Sequence, residues 1–180
     1  DTNKPDMTTT TFLRLVLDYA DDLDEAVEIA RSYDMHDSAG TSYHYMVADA
    51  SGRSAIFEWV AADDDTDTDG SARELHVTYN DDDAAFGEIE AAADYQWVTN
   101  FVLEPNYYAS DDAKKGLDRY NELYTRLSAT DGVVADESAA MDVLAAVGRR
   151  SWNNDDANTI TVHSVVYNLT DRVMYWVPNE

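Results

Sequence analysis

The chain has no cysteine, which excludes disulfides, thiolate metal centres and a cysteine nucleophile on these residues. Lysine is nearly absent, and Asp and Glu outnumber Lys and Arg 37 to 12, for a formal net charge of −25. That much negative potential repels phosphate backbones and anionic headgroups, so neither nucleic acid nor a membrane surface is an expected partner. The composition fits a soluble protein of a high-salt or acid-rich proteome, with the cytoplasm as the favoured compartment. No apolar run approaches the roughly 20 residues that span a bilayer. Asp1-Thr2-Asn3-Lys4-Pro5 lacks the basic and apolar regions of a signal peptide, and the start without Met is that expected of a processed or excised piece. There is no Gly-rich phosphate loop, no Gly-x-Ser-x-Gly elbow and no pair of histidines at the i, i+4 spacing of a helical zinc site. No cofactor and no metal is expected.

At 180 residues and 20.1 kDa the chain can bury a core without covalent staples, and it reads as a single domain, residues 1–180. Residues 1–7 are polar and expected to be loose. Phe12, Leu13, Leu15, Val16 and Tyr19 then recur on one face, and Leu23, Ala26, Val27 and Ala30 do so after Asp21-Asp22. This predicts two short helices, the second with early acids that complement its macrodipole. Ser32 to Thr41 reads as a loop. The period then shortens: Tyr43 to Ala48, a turn at Asp49-Ala50-Ser51-Gly52 and Ser54 to Val60 predict a β-hairpin, followed by a third strand from Glu74 to Tyr79. Tyr95 to Val98 is expected to be a fourth strand. Leu117, Tyr120, Leu123, Tyr124 and Leu127 form the stripe of a helix between Asp111 and Ser128. Met141, Leu144 and Val147 mark another, capped by Asp136 or Ser138 and stopped at Gly148. Ile160 to Asn168 and Arg172 to Val177 close a second hairpin. This order predicts an α+β domain, an antiparallel sheet with packed helices, rather than a Rossmann-type alternation.

Three features carry possible chemistry. The run Tyr95-Gln96-Trp97-Val98-Thr99-Asn100-Phe101, followed by a helix bearing Arg119, delivers a side-chain amide and a guanidinium to one sheet edge, and both groups bind developing negative charge. The plainer alternatives are a turn role for Asn100 and a surface ion pair of Arg119 with Asp118 or Glu122. Asp65-Thr66-Asp67-Thr68-Asp69-Gly70 matches the first half of a calcium loop, but His76 stands where the bidentate Glu belongs and a strand follows, so a solvated acidic loop is expected. Of the four histidines, His44, His76 and His163 fall within predicted strands and, with His36, read as structural.

His44 to Gly52, Ile56-Phe57-Glu58, Val98-Thr99-Asn100-Phe101, Arg119-Tyr120 and Ser164-Val165-Val166-Tyr167-Asn168-Leu169 occur in an order that resembles the choloylglycine hydrolase and penicillin V acylase family of linear-amide C–N hydrolases. The likeness runs from about Phe12 to Trp176. It implies the C-terminal portion of a four-layer αββα N-terminal nucleophile hydrolase fold, in which a processed N-terminal Cys attacks an amide with its own α-amino group as base. By that resemblance Asn100 is the oxyanion-hole amide, and Arg119 orders the network around the nucleophile. The family's Cys and the Arg, Asp and Asn of its N-terminal portion have no counterpart here. The chain is therefore expected to be a fragment of a larger amidase, inactive alone, that acts on a small-molecule amide such as a conjugated bile acid, penicillin V or an N-acyl amide. It is also expected to self-associate or bind the missing N-terminal half. Two alternatives stand beside this: an acyltransferase of the isopenicillin N type, and a non-catalytic module binding calcium at Asp65, Asp67 and Asp69.

Overall fold

The computed structural model describes residues 3–36, 43–61, 73–81, 94–104, 107, 113–152 and 159–178. Two helices, α1 (Thr9–Tyr19) and α2 (Leu23–Ser32), form where the 3.6-residue period lies. Asp22 caps α2 by accepting the Glu25 backbone N–H at 3.0 Å, and the Glu25 carboxylate accepts from Asp21 N at 2.8 Å, so two N–H groups at the helix start are satisfied by side chains. The buried stripe of α2 is Leu23, Ala26, Val27 and Ala30, with small side chains that let the helix approach its neighbours closely.

The helices cover a three-stranded antiparallel sheet, β3 (His44–Ala48), β4 (Ser54–Ala61) and β5 (Arg73–Tyr79), in the order β3-β4-β5. The turn after β3 is tied by Asp49, which accepts from Ser51 N at 2.8 Å, while its own N–H reaches Arg53 O at 3.0 Å. The central strand is buried from Ser54 to Val60 because both its faces are covered. Ala55, Phe57 and Trp59 join Phe12, Tyr45 and the α2 stripe in one core cluster. There the Phe12 ring lies 5.0 Å from that of Tyr45, 5.4 Å from Trp59 and 5.9 Å from Phe57. Ile56, on the opposite face, joins Trp97, Phe101, Leu103, Tyr120 and Leu123 in a second cluster. Each large side chain buried this way contributes about 1.5–3 kcal/mol.

Beyond that second cluster lie α3 (Leu117–Ser128), α4 (Glu137–Val147) and a separate hairpin, β6 (His163–Asn168) with β7 (Val173–Pro178). Asp136 is the cap of α4, accepting from Ala139 N at 2.8 Å, and Gly148 ends it. The mixed α+β class, the helix pairs and both hairpins agree with the sequence pattern.

Four expectations are corrected. Residues 1–7 are not all loose and 32–41 not all loop: Asp6–Met7 (β1) pairs in parallel with Asp34–Met35 (β2), because Met7 and Met35 both sink into the first cluster. A two-residue pairing carries no periodicity by which it could be read. Tyr95 to Val98 is extended but is not a strand. Its side chains dock instead: Gln96 Nε2 donates to Thr78 O at 2.8 Å, its Oε1 accepts from Ser54 Oγ at 2.7 Å, and Trp97 stacks on Tyr124 with centroids 5.8 Å apart. The third helix starts only at Leu117, since Gly116 before it has φ +83°.

Candidate functional site

Asn100 sits at the end of the extended 94–100 segment, where Trp97 and Phe101 are held in the second cluster on either side of it. It is itself exposed. Arg119, in the first turn of α3, donates from Nη2 to Asn100 Oδ1. A guanidinium only donates, so the atom facing it is the amide oxygen, and the Nδ2 end of Asn100 is turned away as a donor. Two N–H donors on an amide are the kind of group that can bind an anion.

Gly116 makes the pairing possible. A Cβ at this position would stand 2.8 Å from Arg119 Nη2, 3.3 Å from Asn100 Oδ1 and 3.3 Å from Thr99 Oγ1. Its carbonyl accepts from Thr99 Oγ1 at 3.0 Å, which ties the residue before Asn100 to the start of the helix. The positive φ and the missing side chain are thus both used. Nothing in the sequence pattern marked Gly116 as part of the site. The available signal was an isolated glycine one residue ahead of an apolar stripe.

Glu58 is the second residue to which sequence reasoning gave no role. Only 2% exposed, its carboxylate accepts Leu103 N at 2.8 Å and Glu104 N at 3.0 Å, fixing the chain just beyond Asn100. Glu58 stands opposite both His44 and His76 in the sheet register. His44 Nδ1 is 3.5 Å from Glu58 Oε1, and His76 Nδ1 is 2.8 Å from Glu104 Oε2. These histidines are strand residues, as expected, but they stand in a polar row that ends on the segment carrying Asn100.

The two carboxylates nearest Arg119 on its helix also have other arginine partners, and Asp118 feels the Arg119 charge as well. Asp118 is bound by Arg149 and Glu122 by Arg126. Burial raises the Asp118 carboxyl, but the Arg149 guanidinium and the Arg119 backbone N–H outweigh it and hold the group below its ordinary range. Arg149 thereby links the end of α4 to the helix that carries Arg119. Asp65, Asp67 and Asp69 lie outside the described residues, so the calcium reading has no structural counterpart to set beside it.

The structure is thus an α+β domain that holds a side-chain amide and a guanidinium in contact at the end of an extended segment. The model of the acyl-coenzyme A:6-aminopenicillanic acid acyl-transferase family matches residues 4–179, and the chain belongs to that family. The family falls within the choloylglycine hydrolase and penicillin acylase group of N-terminal nucleophile proteins. Neither a curated protein nor a solved structure matches the chain. Among the described residues no helix is long and apolar enough to cross a membrane.

Proposed function

We propose that this chain is the C-terminal part of an N-terminal nucleophile enzyme that breaks a linear amide bond and passes the acyl group to water or to an amine. The complete enzyme would have the four-layer αββα arrangement and supply a processed Cys from the missing portion. Asn100 Nδ2 would bind the oxyanion formed when that thiolate attacks the carbonyl, and Arg119 would hold the amide in the required orientation. The observation that carries this reading is the contact of Arg119 Nη2 with Asn100 Oδ1 beside Gly116, because it fixes which end of the amide is presented.

Hydrolysis and acyl transfer share these residues and differ in the acceptor. Family membership brings 6-aminopenicillanic acid forward as a candidate acceptor and acyl-coenzyme A as a candidate donor, beside the amide substrates of the hydrolase reading: conjugated bile acid, penicillin V and N-acyl amides. Two uncovered surfaces support a further packing partner. An apolar groove of about 720 Å³ lies between α1 and β3, bordered by Tyr167 and Leu169, and β7 is exposed along its whole length. We infer that the N-terminal half, or a second copy, covers these surfaces.

The test assays this chain and the complete enzyme side by side on the three amides, with and without 6-aminopenicillanic acid. The chain alone should turn over none of them, since neither Asn100 nor Arg119 can attack a carbonyl. In the complete enzyme Asn100→Ala should lower kcat about a hundredfold with a smaller change in KM, as removal of an oxyanion donor does. A variant with unchanged kcat, or turnover by the chain alone, sinks the assignment. Product partitioning towards the added amine separates transferase from hydrolase.

A further inference from the structure

The short parallel pairing of β1 with β2 brings together three side chains that the acyl-transfer reading does not use. Register places Asp6 directly opposite Asp34. His36 lies two residues beyond Asp34, with its backbone N–H on Met7 O at 2.8 Å, while Asp34 N is on Pro5 O at 2.9 Å. Two main-chain hydrogen bonds thus set the spacing of all three residues. Below them Met7 and Met35 are 1% and 3% exposed, so the pairing is anchored in the core rather than laid on the surface.

We propose that Asp6, Asp34 and His36 form a binding site for a divalent transition-metal ion of the zinc type. One carboxylate oxygen of each Asp and a ring nitrogen of His36 lie within 4.8 Å of one another. His36 Nε2 stands 3.4 Å from Asp6 Oδ1 and 3.8 Å from Asp34 Oδ2. Ligands about 2.1 Å from a tetrahedral ion stand about 3.4 Å apart, and both His36 separations lie near that value. Both separations exceed the roughly 2.7–3.2 Å of a direct N–H···O bond.

The donor set selects the metal. Two carboxylates balance the charge of a divalent ion, and the imidazole favours zinc, cobalt or nickel over magnesium and calcium, which take oxygen. The Asp34 side chain is only 5% exposed, so one of the two carboxylates is buried at the base of the site, while Asp6 and His36 are accessible from solvent. Three protein ligands leave a coordination position for water. Because Asp6 comes from the segment before α1 and the other two from the segment after α2, a bound ion would clamp the ends of the helix pair together. No helical His spacing announces this arrangement, since the ligands meet only through strand pairing.

The experiment titrates the protein with zinc chloride by calorimetry in about 1 M sodium chloride, where a Debye length of roughly 3 Å suppresses diffuse attraction to the acidic surface. Cobalt(II) replaces zinc in a parallel optical titration. One zinc per chain is expected, together with the visible d–d bands of a tetrahedral cobalt site and a thermal midpoint that rises with zinc. His36→Ala and Asp6→Asn should each weaken zinc binding at least about tenfold and remove both the bands and the thermal shift. Asp6 and His36 are 77% and 50% exposed, so these variants should fold, as far-UV circular dichroism will show. Glu28→Gln, an exposed acid elsewhere on α2, should behave as wild type. Equal binding by wild type and His36→Ala, many weak sites that vanish in salt, or preference for calcium or magnesium each overturns the proposal. The first outcome leaves an ordinary His–Asp ion pair. None of these readouts depends on amidase or transferase activity.

Discussion

The two hairpins, β3–β4 and β6–β7, carry nearly the same sequence signature: an apolar strand, a polar turn and another apolar strand. Their surroundings are opposite. Every residue of β4 from Ser54 to Val60 is buried, whereas every residue of β7 is exposed, including Met174 at 56% and Trp176 at 55%. Strand β4 has β3 and β5 as neighbours, α1 and α2 on one face and the 97–103 segment with α3 on the other, while among the described residues β7 pairs with β6 alone. The hairpin pattern reports local pairing. What covers it is decided by other parts of the chain, or by another chain.

The sharpest test of that contrast replaces one large ring in each hairpin. Phe57→Ala should cost about 3–5 kcal/mol in urea unfolding, the usual range for a fully buried aromatic. Trp176→Ala should fall within about 0.5 kcal/mol of wild type when the chain is studied alone. Equal losses would mean that β7 is covered in solution. Light scattering provides the complement. Salt that screens the net charge should promote association, and Trp176→Lys should reduce it by interrupting the exposed apolar strand.

A polar probe of the covered sheet comes next. Glu58→Ala leaves the N–H groups of Leu103 and Glu104 without their carboxylate, and a buried unsatisfied donor costs about 1–3 kcal/mol. Glu58→Gln keeps an acceptor for one of them and should lose less. If both variants match wild type, the carboxylate does not hold the segment that carries Asn100.

Gly116→Ala should cost about 1–2 kcal/mol for a side chain at positive φ, with a further loss as Arg119 is displaced. Amide resonances of Thr99 and Asn100 should shift in its spectrum, while those of β6 and β7 stay in place. A shift confined to Gly116 and its sequence neighbours would count against the cradle.

The smallest expected effect is on pH dependence. Asp49 lies below its ordinary pKa because Ser51 hydroxyl and backbone bonds, with the Leu23 and Arg53 N–H groups, outweigh the opposing burial. A carboxyl lowered in the folded state stabilises the fold fully above its unfolded value of about 4, and that contribution is lost as pH falls through the lower folded value. Asp49→Asn should therefore flatten the acid limb by lowering stability slightly at neutral pH, with the two proteins converging at low pH. An identical acid limb in both proteins would show that this turn contributes nothing to it.

The candidate site was half legible. Asn100 and Arg119 were readable as an amide and a cation brought to one edge, and the structure brings them into contact. Their catalytic role remains the proposal tested above. Glu58 and Gly116 were not legible as site residues. A buried Glu in an apolar strand looks like an alternation error until residues 103 and 104 are seen to donate to it. A glycine before a helix looks like a start signal until the side chains packed against its Cα are known.

Local periodicity and capping by themselves determined the helices, the two hairpins and the antiparallel pairing within them, because those depend on residues three or four apart or directly across a turn. Composition determined the absence of thiol groups from these residues and the net charge of −25. Only the tertiary structure decided that Asp6 meets Asp34, that Tyr95 to Val98 docks by side chains rather than by a backbone ladder, and that β4 is buried while β7 is exposed. These rest on contacts between residues far apart in the chain, and no pattern within one stretch specifies which distant surface will cover it.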